Sequence, residues 1–142
     1  MTTIFDSTEF FWGDESPIIN FPYGMIGLEE WDKFVLVSHP AGGPFHLLES
    51  VADKRMSFIV VEPNFFKSDY YIDQVDYDLG WFQVDSDEES APKVYCIVSV
   101  EEDPLLISVN LLGPLLINIE LGIGKQIVLS STKYSARHII SG

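Results

Sequence analysis

Short apolar runs cut by glycine- and proline-marked turns leave this chain little room for helix. Residues 33–37 (KFVLV), 57–61 (SFIVV), 94–100 (VYCIVSV), 115–119 (LLINI) and 126–129 (QIVL) are rich in β-branched and aromatic side chains, which fit a pleated, half-buried surface. Weaker runs lie at 3–6, 9–12, 18–21 and 45–49. Turns stand between them at Trp12-Gly-Asp, Phe21-Pro-Tyr-Gly24, Ala41-Gly-Gly-Pro44, Leu112-Gly-Pro114 and Gly122-Ile-Gly124. Glycine there supplies positive φ and proline fixes the entry. Strands spaced about 8–12 residues apart with such punctuation predict an all-β barrel or sandwich. Helical candidates are one turn at 28–33 and a longer stretch at 73–82, where Val75, Leu79 and Phe82 share a face and Gly80 interrupts. Residues 86–92 are polar and read as an exposed loop.

A chain of 142 residues reads as one domain, 1–142, and buries roughly 70% of its unfolded surface without a disulfide or metal staple. Charge is its other strong signature. Twenty-two acidic residues face 8 basic ones, a formal net charge of −14. The excess is concentrated: Asp69, Asp73, Asp76, Asp78, Asp85, Asp87, Glu88 and Glu89 follow one another with no Lys or Arg among them. An apolar fraction of 46% sets the chain apart from a disordered acidic tail, so the carboxylates coat a packed globule. Such a surface repels nucleic acid and anionic lipid and attracts basic partners. The aromatics Phe65, Phe66, Tyr70, Tyr71, Trp81 and Phe82 flank the acidic stretch. Stacking platforms for single-stranded nucleic acid need cations along the backbone, so a core or protein-interface role is expected instead.

Catalytic templates are not matched. Gly122-Ile-Gly-Lys125 lacks the earlier glycine and following Ser or Thr of a phosphate loop and reads as a hairpin turn. His39, His46 and His138 lack helical metal spacing, and Cys96 has no second cysteine. Cys96 lies in an apolar run and is expected to be a buried free thiol. Glu101-Glu-Asp103 lacks the ligand alternation of a calcium loop. No catalytic residue, cofactor or metal is therefore expected. Paired glycosidase-type carboxylates are a tertiary property, so a small acidic hydrolase stands as the alternative, and a nucleic-acid mimic as a third reading. The start of the chain has no signal-peptide core and no run reaches the ~20 apolar residues of a membrane span, so a cytoplasmic location is expected.

Several segments together resemble the flagellar assembly factor family, FliW. Phe21-Pro-Tyr-Gly-Met-Ile-Gly-Leu28 is similar to that family's Phe-Pro-x-Gly-Ile-Pro-Gly-Phe, with Met25, Ile26 and Leu28 departing from it. Phe58-Ile-Val-Val-Glu-Pro63 follows, then Phe65, Phe66, Asp69 and Tyr70. Asn110-Leu-Leu-Gly-Pro-Leu-Leu-Ile-Asn118 resembles Asn-Leu-x-Ala-Pro-Ile-x-Ile-Asn, with Gly113 in place of Ala. Gly124-Lys-Gln-Ile-Val-Leu129 and Tyr134-Ser-Ala-Arg-His138 complete the match. The resemblance implies a compact antiparallel β-barrel-like domain with at most one or two short helices and no enzymatic activity. It implies two protein partners: flagellin, bound in the cytoplasm before export, and CsrA, the RNA-binding repressor of flagellin translation, which the family antagonises allosterically.

Partner contact is expected from Phe65, Phe66, Tyr70 and Tyr71, backed by Asp69, Asp73, Asp76, Asp85, Asp87, Glu88 and Glu89, as apolar anchors with a charged rim. Phe21, Pro22, Gly24 and Gly27 are expected to shape a loop. Asn110, Gly113, Pro114, Asn118 and Gly124 are expected to set strand entries and turns. Arg137 and His138 are expected to pair with the protein's own acidic surface.

Overall fold

The structure, a computed structural model, describes residues 16–38, 41–73, 76, 92–102, 104–130 and 133–141. The runs expected at 3–6 and 9–12, His39, Asp78, Asp85, Asp87, Glu88, Glu89 and most of the 73–82 and 86–92 segments lie outside these residues.

Among the described residues nine strands form one sheet: β1 (Ile18–Asn20), β2 (Lys33–Ser38), β3 (Phe45–Ser50), β4 (Ser57–Val61), β5 (Lys93–Glu101), β6 (Leu106–Val109), β7 (Leu115–Asn118), β8 (Ile123–Gln126) and β9 (His138–Ser141). β1 to β5, β7 and β8 close into a seven-strand barrel, with β6 and β9 extending the wall. All pairings are antiparallel except β1 with β8, which run parallel where Asn20 meets Ile123. A 3-10 turn, Pro63–Phe65, follows β4.

β5 is the pivot. Val98 pairs Ile59 of β4 on one edge and Val109 of β6 on the other, and Tyr95 further along pairs Leu115 of β7. Between these pairs two residues of β5, Cys96 and Ile97, stand against five, 110–114, and the surplus is looped out. Asn110 Oδ1 holds that loop by accepting from the backbone N–H groups of Leu112 (3.2 Å) and Gly113 (2.8 Å), the side-chain mimic of a turn that favours Asn.

Side chains alternate across the wall. Phe34, Leu36, Leu48, Val60, Tyr95, Leu115 and Ile117 fill the barrel with Ile19, Phe21 and Met25. Val61, Cys96, Val98 and Leu116 point the other way, into a second core with Tyr70, Ile72, Ile107, Val109, Leu111, Ile127, Leu129 and Tyr134. Burial on both faces is why these strands read as unbroken apolar runs rather than alternating ones.

Three local expectations need correction. The strand read at 126–129 is placed by the structure at Ile123–Gln126. The hairpin turn ahead of it is closed by Asn118 Oδ1 accepting from Leu121 N at 3.0 Å and by Gly122 at φ 66°, so pairing begins at Ile123. Ile127 and Leu129 then bond back to the carbonyls of Pro114 and Leu112 and enter the outer core. Strands β6 and β9 were not expected at all: each is four residues long and is defined mainly by the ladder it joins.

Candidate partner-binding surface

The segment after β4 is anchored at one residue and presents its neighbours. Tyr70 is buried, its hydroxyl donating to Leu111 O at 2.7 Å and its ring 4.6 Å from that of Tyr134. Asn64 Nδ2 donates to Tyr70 O at 3.0 Å, bracing the 3-10 turn against it. Extended backbone then alternates: Tyr70 and Ile72 point inward, Tyr71 and Asp73 outward.

Of the residues read from the sequence as a contact patch, the structure exposes Phe65 (66%), Tyr71 (59%), Asp69 and Asp73. Phe66 is half-buried and stacks on His138, with ring centroids 6.1 Å apart. Tyr70 and Asp76 do not belong to an exposed patch. Tyr70 is a core residue with an internal hydrogen bond. Asp76 is 3% exposed and its Oδ2 accepts from Ser130 N (3.4 Å) and Ser130 Oγ (3.3 Å). Of the two tyrosines, Tyr70 is withdrawn into the core and Tyr71 is displayed. That signal was present only as the in–out alternation of residues 70–73.

Local pairing uses up several of the few cations. Arg55 forks onto Asp53 through Nε (3.1 Å) and Nη2 (3.0 Å), holding the Asp53 carboxyl below the usual range. Lys67 lies 3.5 Å from Asp69. Arg137 Nη2 donates to both carboxylate oxygens of Glu101, at 2.9 and 3.0 Å, the self-pairing expected of it.

Gln126 ties two loops together. Its Oε1 accepts from Ile26 N at 3.0 Å and its Nε2 donates to Gly113 O at 3.0 Å. Sequence reading gave Gln126 no role, because its two partners lie 100 and 13 residues away. Gly24 (φ 67°) allows the first of these loops to close, since a Cβ there would stand 2.3 Å from Glu29 Cα. Phe21 lies under Gly124 in the barrel, while Pro22 and Gly27 (φ 84°) are exposed in the loop.

His46 is less isolated than its sequence context implied. Antiparallel register sets it beside Ser38, whose Oγ lies 3.0 Å from Nδ1, and its Nε2 meets Glu62 Oε2 at 3.1 Å. The imidazole thus clamps the ends of β2 and β4 to β3, edge-on to the Tyr95 ring at 5.3 Å. No group of three metal-ligating side chains occurs among the described residues.

A family model described as FliW protein matches residues 2–140. The chain belongs to the FliW family of flagellar assembly factors. It is 39% identical over 121 residues to the flagellar assembly factor FliW of Desulfitobacterium hafniense (strain DSM 10664 / DCB-2), covering 85% of this chain and 78% of that relative. It is 35% identical over 127 residues to the FliW of Leptospira interrogans (serovar copenhageni), covering 89% and 83%. A crystal structure of the flagellar assembly factor FliW superimposes with a TM-score of 0.77 at 30% identity, over 93% of this chain and 91% of that one.

FliW proteins are non-enzymatic, and the Ser38–His46–Glu62 chain is accordingly a structural clamp. Two departures from the FliW pattern acquire reasons. Ile26 stands where the family segment has proline, and its N–H donates to Gln126, a bond that proline could not make. A Cβ at Gly113, as in the family's Ala, would meet Asn110 Nδ2 and Gln126 Nε2 at 3.1 Å, the ends of side chains able to shift by a few tenths of an ångström.

Proposed function

We propose that this protein is a cytoplasmic flagellar assembly factor that binds flagellin and, once flagellin is exported, binds CsrA and relieves its repression of flagellin mRNA. The observation carrying this reading is the display of Phe65 and Tyr71, with Asp69 and Asp73 exposed beside them in the chain, on a segment pinned by Tyr70. Exposed aromatic anchors with an acidic rim fit a basic protein partner and reject RNA. Membership of the FliW family supports the flagellar setting. Among the described residues no helix is long and apolar enough to cross a membrane.

Antagonism follows from charge. Docking this chain beside CsrA brings carboxylates near the RNA path, and those within about 8 Å act at physiological salt. A coupling of about 1–3 kcal/mol weakens RNA binding about 5–150-fold, and linkage requires RNA to weaken binding of this protein equally.

Calorimetric titration with CsrA and with flagellin, singly and in competition, tests the reading. Binding of both is the expected result, and binding of neither overturns it. Titrating flagellin-leader RNA into the CsrA complex at rising salt then separates the mechanisms. A ternary complex whose coupling fades with salt supports electrostatic allostery. Strict exclusion of RNA at saturation would instead make the protein a nucleic-acid mimic.

A further inference from the structure

Lys133 Nζ lies 5.7 Å from the ring centroid of Tyr71 and 5.7 Å from that of Tyr134. An ammonium shared between two aromatic faces is half of a cation cage. Asp73, Asp76 and Leu129 line the same cleft. Its walls are held by bonds that do not involve Lys133. Tyr71 N donates to the Tyr134 hydroxyl at 3.2 Å, Asp76 N to Asp73 O at 3.0 Å, and Ser130 to the Asp76 carboxylate. The Tyr134 ring is backed by Tyr70.

We infer that this cleft is a receptor for one arginine side chain of a binding partner, and that Lys133 occupies it as the chain's own stand-in. With Lys133 in place the remaining volume is about 10 Å3, room for about one water. An incoming cation must therefore displace Lys133 rather than join it. Arginine is the better competitor. Its planar guanidinium stacks on tyrosine faces and forks onto carboxylates, whereas an ammonium does neither. Lys133 is exposed and its stem is flexible, so its ammonium can move aside while the walls stay in place. The two carboxylates that line the cleft, Asp73 and Asp76, and the chain's formal net charge of −14 attract a basic segment toward it. This inference goes beyond the flagellar reading and does not depend on which partner supplies the arginine.

The test is a two-dimensional amide NMR titration of the full chain with N-acetyl-arginine amide, using the uncharged citrulline analogue as control. Lys133→Met keeps the apolar stem and removes the resident charge. It is expected to bind arginine amide about two- to fivefold more tightly than the parent, the range of one exposed cation–π contact. Shifts are expected at the amides of Tyr71, Asp76, Leu129 and Tyr134. Tyr71→Ala, with Lys133 retained, removes an exposed ring and is expected to abolish those shifts while leaving the rest of the spectrum native. Equal affinity in parent and Lys133→Met, equal response to citrulline, or shifts spread evenly over the acidic surface would each overturn the proposal.

Discussion

The ring of Phe21 lies directly against the Cα of Gly124: a Cβ built on Gly124 would stand 2.5 Å from Phe21 Cζ. Phe21 is fully buried and packs edge-on to Phe34 at 5.6 Å, so the ring cannot retreat. Gly124→Ala is expected to cost about 1–3 kcal/mol, the usual price of overpacking a dense core. Urea denaturation of Gly124→Ala, and of Gly124→Ala with Phe21→Leu, checks it. Partial recovery in the double variant assigns the loss to this contact.

Tyr70→Phe leaves the ring in the outer core and removes only the hydroxyl that donates to Leu111 O. A buried carbonyl deprived of its donor costs about 1–3 kcal/mol. Chemical denaturation should show that loss, while affinity for CsrA or flagellin, measured well below the unfolding transition, stays at the parent value.

Phe65 and Phe66 are adjacent but should behave differently. Phe65→Ala is expected to change stability by no more than about 0.5 kcal/mol, as for an ordinary surface site, and to weaken binding of one partner. Phe66→Ala loses packing on the outer core and His138, at about 1–2 kcal/mol, below the roughly 3–5 kcal/mol of a fully buried ring. Paired denaturation and calorimetry on the two variants distinguish the roles. A stability loss in Phe65→Ala matching that of Phe66→Ala would place Phe65 in the core.

Alkaline pH should unfold this protein through two neighbours on β5. Burial pushes the Cys96 thiol up to about 12 from an ordinary 9.0, and burial with the nearby Glu62 charge pushes Tyr95 up to about 12 from 10.0. Both groups are neutral when protonated, so between these limits the unfolded chain releases protons that the folded chain keeps. Stability is therefore intact below about pH 9 and falls as pH rises toward 12, by about 1.4 kcal/mol per pH unit for each group in its window. Cys96→Ala should flatten the first part of that decline in denaturation curves taken from pH 8 to 11. In the folded state the Cys96 thiol should also resist alkylation at pH 8.

Much of the barrel was legible because strand propensity and burial are written locally. The runs at β2, β4, β5 and β7 are apolar on both faces, and no other element accommodates so many β-branched residues in so short a span. The candidate surface was only half legible. Phe65, Tyr71, Asp69 and Asp73 are displayed as residue type alone implied. Tyr70 and Asp76 are withdrawn, because Leu111 and Ser130, far along the chain, supply their hydrogen-bond partners.

By itself, then, the amino-acid sequence determined an acidic all-β chain of the FliW family, with turns wherever glycine or proline imposes one. Tertiary structure alone decided which face of each strand enters the barrel and which the outer core. It also decided that Gln126 bridges two loops and that Lys133 rests between Tyr71 and Tyr134. The physical reason is common to these. Each depends on a contact between segments distant in sequence, and a residue's propensity carries no information about which distant group will be there to meet it.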